Sequence, residues 1–416
     1  MISYIRRQIK QIQQEGWISL FVKISKIAPY LLAILIIIII RLIRPVLLVR
    51  TGMLTSSRIG HFATNTEMYL CERDAGINLP NQRYIDIFFI DGLICNQQLA
   101  TMWQRALHIW PAFFMSPVER INGLIPGGEF HKIPNPTQYD RDVYNLLDIY
   151  SSHLQFTSDE ISRGEKYLRS MGIPNGARFI CLNVRDSAYL EGAKWAYHNY
   201  RDSSIQNYIL AAEALAEKGY FVIRMGAKVK ASLESNHPRI IDYATNGMRN
   251  DFMDIYLGAS CTFCLSTGTG WDNIPEIFRR PVVYVNFVPL GYLHTFSFQF
   301  LSITKRHINK QTGQELTLKE IFSNGVGYFL SQVDYESNNI DLIENTSEEI
   351  RDVAIEMADR INGTWRVMSS DDDLQKIFWG IFPCDVLDAN NRRPLHGQIY
   401  SRFGADFLRK NLQFLK

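Results

Sequence analysis

The sequence predicts an α/β protein of two compact units built on largely parallel sheets, preceded by an apolar helix with basic flanks. Three observations carry this. The chain has 416 residues at 46% hydrophobic composition, enough to bury a sizeable core and more than one domain usually holds. Beyond Arg50, short apolar runs alternate with amphipathic stretches, the pattern of buried strands connected by helices. Before Arg50, isoleucine and leucine follow one another without a break from Ile34 to Ile40.

Residues 1–50 read as a membrane-associating segment. The apolar run from Ile27 to Ile40 is interrupted at Arg41 and Arg44 and resumes through Val49. A helical span asks for about 20 apolar residues, and basic residues at both ends run against the positive-inside rule. A signal peptide is not expected, because the run starts late and no small-residue cleavage site follows it. Two arrangements remain: a monotopic or re-entrant helix with both ends on one side, or a single span with Arg41 and Arg44 snorkelling. The first is preferred. Arg6, Arg7, Lys10, Lys23, Lys26, Arg41, Arg44 and Arg50 have almost no acidic company, so this segment should favour anionic headgroups. A buried core helix is the weaker alternative, since the isoleucine run offers no polar face.

The whole chain carries a formal charge of only +2, which argues against a nucleic-acid partner. Its six cysteines are scattered, and Cys261 and Cys264 lie in an apolar run with no second pair, so they read as buried core thiols rather than as a metal or redox site.

The first α/β unit is placed at residues 51–172, with a turn at Gly60, a helix through Tyr69 and a strand at Ile85–Ile90. The second is placed at 173–345, after the turn-rich stretch Met171–Gly176. Its strands are expected at Phe179–Val184, Tyr220–Met225, Arg239–Asp242, Cys261–Leu265 and Pro281–Val285, and its helices at 204–218 and 251–257. Residues 346–416 are expected to form a helical extension starting at a cap on Thr346 or Ser347. Asp371, Asp372 and Asp373 follow two serines and read as the acidic start of a helix. No metal site and no cofactor are expected.

Candidate chemistry gathers at strand ends. Ser266, Thr267, Gly268, Thr269 and Gly270 lie between a strand and a helix, where small residues let backbone N–H groups approach a phosphate; a plain structural turn is the alternative. Arg185 follows the first strand of the second unit, the edge at which open parallel sheets bind ligands, and its guanidinium suits a diphosphate. Arg224, Gly226 and Lys228 follow the next strand and offer further donor contacts. In the first unit, Arg58, Gly60 and His61 precede a helix that carries Glu67. They mark an acceptor side on which His61 could take a proton from a hydroxyl, with helix capping as its other reading.

These residues also carry a resemblance. Arg58-Ile59-Gly60-His61, Val184-Arg185-Asp186-Ser187-Ala188-Tyr189-Leu190, His198-Asn199-Tyr200-Arg201-Asp202, the Ser266–Gly270 loop and Arg279-Arg280-Pro281-Val282-Val283-Tyr284-Val285-Asn286-Phe287 resemble a bacterial family of surface-polysaccharide glycosyltransferases over nearly the whole chain. The resemblance implies a GT-B architecture of two facing Rossmann-like domains. The nucleotide-sugar donor would sit in the second domain, a lipid-linked or polysaccharide acceptor toward the first, and no metal would be needed. It also implies the cytoplasmic face of the cell membrane, where nucleotide sugars are found. Distantly similar fucosyltransferases carry a His-x-Arg motif whose arginine contacts the diphosphate. Arg185 stands at the similar place, with Asn183 where the histidine would be. Other expectations on the same sequence are a nucleotide-sugar 2-epimerase and a catalytically silent scaffold of a polysaccharide assembly complex.

Overall fold

The computed structural model describes residues 28–134, 141–188, 193–388 and 392–416. The basic residues from Arg6 to Lys26, together with Tyr189 and Leu190, lie outside the described residues.

Helix α1, residues 28–43, carries two apolar stripes with different surroundings. Ala33, Ile37 and Ile40, spaced four and three apart, are buried against Val49, Ile87, Phe89, Met115 and Val118. On the opposite side Leu31, Leu35, Ile38 and Leu42 are 64%, 54%, 50% and 74% exposed. The expected lack of a polar face therefore does not exclude core packing: one stripe is core and the other is surface. No helix among the described residues is long and apolar enough to cross a membrane.

The first unit continues with β1 (Leu48–Met53), α2 (Ile59–Asp74), β2 (Tyr84–Phe89), α3 (Gln97–Ala106), β3 (Ile109–Trp110) and α4 (Ala112–Asn122). Its sheet runs β1-β2-β3, all parallel. Helices α2 and α3 cover one face through Phe62, Leu70, Leu99 and Trp103, and α1 and α4 cover the other. Two expectations change here. β1 starts before residue 51, so a boundary at 50 cuts through the first strand. Arg50 is no headgroup ligand either: it is buried, and its guanidinium grips Asp86 of β2 at 2.7 and 2.6 Å.

The second unit comprises α5 (Ser158–Ser170), β4 (Phe179–Asn183), α6 (Ile209–Glu217), β5 (Phe221–Arg224), β6 (Ile240–Ile241), α7 (Asp251–Ser260), β7 (Cys264–Ser266), α8 (Asn273–Ile277), β8 (Val282–Tyr284), β9 (Phe300–Ser302), β10 (Arg306–Asn309), α9 (Leu318–Ser323), α10 (Gln332–Ser337), β11 (Ile340–Ile343), α11 (Ser347–Asn362), α12 (Asp371–Ile381), β12 (Arg402–Phe403) and α13 (Ala405–Lys410). Its seven-stranded sheet has the order β12-β9-β8-β7-β4-β5-β6, with every neighbouring pair parallel. β4 is buried at all five positions, which explains its unbroken apolar sequence. From β4 the chain winds outward through β5 and β6, then returns to β7 and winds the other way. The switch point lies between β4 and β7.

The crossing between units comes before Arg141 rather than at 172. The Arg141 guanidinium donates to the carbonyls of Leu395, Tyr292 and Leu293 at 2.6, 2.8 and 2.5 Å, and Leu146 and Leu147 belong to the second unit's core. The C-terminal portion is not purely helical, because β12 adds a strand beside β9. Thr346 does cap α11, in a reciprocal pair with Glu349, and Asp371 to Asp373 form the first turn of α12. The two units share a core in which Ile255, Ile274 and Ile277 pack with Phe62 and Trp103.

Candidate active site

The residues at the switch point define the site. Arg185 leaves β4 and the Ser266–Gly270 loop leaves β7, with Asn183 and Ser266 paired in register. Ligands of open parallel sheets sit in the crevice where strand order reverses. The first unit closes on this point. A Cβ on Gly60, at the start of α2, would lie 2.6 Å from Asn273 Oδ1 and 3.0 Å from Gly270 Cα, so only glycine lets α2 meet the loop this closely.

Two guanidiniums sit beside the loop. Arg185 Nε donates to Asp202 Oδ1 at 3.2 Å, and Arg201 donates to the carbonyl of Gly268. Burial, and next the charge of Arg201, lower the pKa of Arg185 despite Asp202. Burial likewise raises Asp202 despite Arg185, so desolvation outweighs pairing on both partners. The pKa of His198 is pushed down to about 4 by burial and then by the charges of Arg185, Arg201 and Arg58. Arg58 comes from the first unit, at the residue preceding α2. Cations of both units therefore act on this one imidazole.

The loop itself does something other than what its composition suggests. Ser266 is buried, and its hydroxyl donates to Asp272 Oδ2 at 2.7 Å; the Thr269 N–H reaches the same oxygen at 2.6 Å. The Gly268 N–H points to Ser266 Oγ, and Thr269 Oγ1 accepts from Asn183 at 2.6 Å. Thr267 is buried and accepts from the Arg185 N–H at 2.9 Å. The Ser266 hydroxyl and the N–H groups of Thr267, Gly268 and Thr269 are already engaged, and α8 is only five residues long, too short to add much of a helix dipole. The loop thereby holds the backbone of Arg185 and the guanidinium of Arg201. Gly268 serves this with φ +75° and with Phe287 carbons within 3.0 Å of where its Cβ would be.

Other expected residues fall elsewhere. Arg224 is fully buried and pairs with Asp242 at 3.2 Å and Asp186 at 3.9 Å, so it braces the strand end and cannot touch a ligand. Gly226, at φ +156°, shapes the turn after β5, where a Cβ would meet Val229 at 2.5 Å; Lys228 beside it is exposed. Glu67 is no acceptor contact: it is wholly buried, bound to Arg279 at 2.6 Å and to His153 Nδ1 at 3.1 Å. Glu67, Cys71 and His153 lie close enough together to suggest a metal. The Arg279 guanidinium, at 2.6 Å from Glu67 and 3.5 Å from Cys71, fills that position with a cation of the chain's own. His61 stands in the first turn of α2, half-buried, and its Nδ1 has no hydrogen-bond partner among the described residues.

Sequence reasoning missed a group behind the loop. His294 Nδ1 lies 2.7 Å from Glu276 Oε1 and 3.0 Å from the Tyr284 hydroxyl, which also donates to Glu276. Asp272 beside them is held up to about 6 by burial and then by Glu276. These residues come from three elements with no common spacing, so the sequence carries no signal for them. Arg201 and His198 had a signal, two basic side chains three apart beside Arg185, but no strand end to draw attention to it.

No protein-family model matches the chain, and no curated protein matches it. Among solved structures it is similar to ADP-heptose lps heptosyltransferase II of E. coli, at 13% identity and a TM-score of 0.38 over 61% of this chain and 90% of that one. It is also similar to a family 9 glycosyl transferase of Veillonella parvula, at 9% identity and a TM-score of 0.41 over 76% of this chain and 96% of that one. A third is the dodecameric iron-containing heptosyltransferase TibC of E. coli, solved with ADP-D-beta-D-heptose, at 12% identity and a TM-score of 0.29 over 58% of each chain. Identities and scores this low are compatible with nothing more than a shared layered α/β architecture.

Proposed function

We propose that this protein is a metal-independent, GT-B-like glycosyltransferase that takes a sugar from a nucleotide diphosphate and passes it to a surface-glycan or lipid-linked acceptor at the cytoplasmic face of the membrane. The observation that carries this is the placement of Arg185 and Arg201 against the loop at the switch point, with the start of α2, which follows Arg58, packed on the same loop. Guanidiniums there match a diphosphate, whose charge grows as the glycosidic bond breaks. The acceptor hydroxyl oxygen bonds to the anomeric carbon, and the bond from that carbon to the diphosphate oxygen breaks. Its electron pair leaves on the diphosphate, neutralised by Arg185 and Arg201. The hydroxyl proton goes to a base on the first unit, for which His61 is the candidate. The loop and Asp272 hold the arginines in place. The exposed stripe of α1 supports the membrane part of the reading.

Thermal shift against a panel of nucleotide sugars tests the donor. A ligand at 100 times its dissociation constant adds about 2.7 kcal/mol of stability. A panel in which neither nucleotide sugars nor nucleoside diphosphates raise the melting temperature would sink the reading. Release of nucleotide only when an acceptor extract is added would separate a transferase from an epimerase or a silent scaffold.

A further inference from the structure

We propose that the outer face of the first unit docks on a bilayer and receives a lipid with a sugar headgroup, α1 lying in the apolar layer and the cavity beside α4 holding the sugar. This deepens the transferase reading by naming its acceptor class, while the docking itself can be tested without any turnover.

The surface comes first. Leu31, Leu35, Ile38 and Leu42 follow the helical spacing of one face and are at least half exposed. Phe113 and Phe114 of α4 and Leu124 just after it add three more exposed apolar side chains. All lie on elements covering the sheet face opposite α2 and α3, so the second unit does not cover them. An apolar patch of this kind on a soluble body marks an interaction surface. Its basic rim selects the partner. Arg41 and Arg44 lie at one end of the stripe, and Arg6, Arg7, Lys10, Lys23 and Lys26 precede it in the sequence, the charge pattern that anionic lipid attracts. The platform is fixed: Arg41 donates to Asn122 Oδ1 at 3.0 and 2.8 Å and to the Pro126 carbonyl at 2.9 Å, and Arg120 donates to the Tyr30 hydroxyl at 3.1 Å.

The cavity shares these anchors. A space of about 520 Å³ at the C-terminal ends of β1 and β2 is lined in part by Arg120 and Asn122, so its wall is continuous with α1. That volume suits a small-molecule headgroup, for which sites run about 300–1,000 Å³. The same lining contains Asp91, Glu119, Glu129 and Lys132. Three carboxylates against the cations Arg120 and Lys132 disfavour a phosphate or carboxylate. They accept hydrogen bonds well from hydroxyls, which a sugar has in number. Glu119 Oε2 is buried without a partner among the described residues, an acceptor left for a ligand.

Two measurements on the full chain test this. In flotation, the protein should rise with phosphatidylcholine vesicles and more strongly when phosphatidylglycerol is included. Leu35→Glu, Ile38→Glu and Leu42→Glu together should cut binding at least about a hundredfold, since each loses burial of a large apolar side chain. Leu330→Glu, at an exposed leucine of the second unit, should change nothing. Undiminished flotation of the triple variant overturns the proposal. So does a wild type that stays unbound and dimeric while the variant is monomeric, which would assign the face to a second copy. A variant that melts far below wild type overturns it too, by showing that the chain itself covers the stripe. For the cavity, monomeric dodecyl maltoside should slow hydrogen exchange across α4 and residues 122–132 several-fold. Dodecylphosphocholine, with the same chain and no sugar, should not. Asp91→Asn with Glu119→Gln should abolish the maltoside effect. Equal protection by both amphiphiles would remove the sugar from the proposal. Neither readout uses donor or turnover, so failure here leaves the transferase reading standing, and failure of the transferase reading leaves these results intact.

Discussion

At the scale of single residues, charge without full compensation distinguishes this site from an ordinary strand end. Arg185 is half-buried with one carboxylate beside it and a second guanidinium near, so it gains most when a diphosphate arrives. Arg185→Ala is expected to lower turnover about a hundredfold to a thousandfold, or roughly 3–4 kcal/mol, while the melting temperature changes little. Lysine should restore only part of the loss, because it keeps the charge without the fork. Normal kinetics in the alanine variant would remove Arg185 from the site. His198 gives a second test through its protonation. Its folded pKa of about 4 lies below the ordinary value, so its contribution to stability is present above about pH 6.5 and is lost as pH falls toward 4. A bound diphosphate offsets the surrounding cations, so its pKa should rise when nucleoside diphosphate is added. An NMR titration of the imidazole with and without the nucleotide reads this directly; an unchanged midpoint would place the nucleotide elsewhere.

At the scale of elements, the decisive contact is between the start of α2 and the loop after β7. Gly60 lets the start of α2, flanked by Arg58 and His61, pack against the loop that holds Arg185 and Arg201. Gly60→Ala puts a methyl group 2.6 Å from Asn273 Oδ1 and 3.0 Å from Gly270 Cα, so α2 or the loop must shift. Overpacking of this kind costs about 1–3 kcal/mol. Turnover should fall by more than the stability loss accounts for, because the shift separates the two halves of the site. Denaturant unfolding beside kinetics checks this, and a variant with both quantities unchanged would mean the units do not meet so closely in solution.

At the scale of the whole molecule, a buried ion pair joins the units. Arg279 reaches from the end of α8 to Glu67 on α2, and Glu67 is fully buried. Arg279→Gln leaves that carboxylate with His153 and the Cys71 thiol and should cost roughly 3–5 kcal/mol in urea unfolding. Burial opposes the protonation of His153, but Glu67 and then Asp74 raise its pKa above the ordinary value. Its help is therefore full below about pH 6.5 and lost as pH rises through the raised value, so the defect should be larger at alkaline than at mildly acidic pH. A pH-independent defect would show that His153 does not stand in for Arg279. The same guanidinium occupies the one grouping of His, Cys and Glu that suggested a metal among the described residues. On the metal-independent reading proposed above, turnover is expected to persist in EDTA, and complete loss restored by magnesium or manganese would overturn that reading.

The sequence by itself marked the central strands of the second unit. A short apolar run such as Phe179–Leu182, bounded by turn residues, reads as a strand buried on both faces, whereas the longer isoleucine run is a helix. Those positions put Arg185 and Ser266–Gly270 at strand ends, and parallel winding makes strand ends the ligand edge. Only the tertiary structure decided what each side chain faces. Ser266 turned to Asp272, Arg224 to Asp242 and Glu67 to Arg279, because a buried polar group takes whichever partner the fold brings within reach. The same holds for α1. Its composition made it apolar all round, but only the sheet beneath Ile37 and Ile40 decided which stripe became core and which was left facing outward.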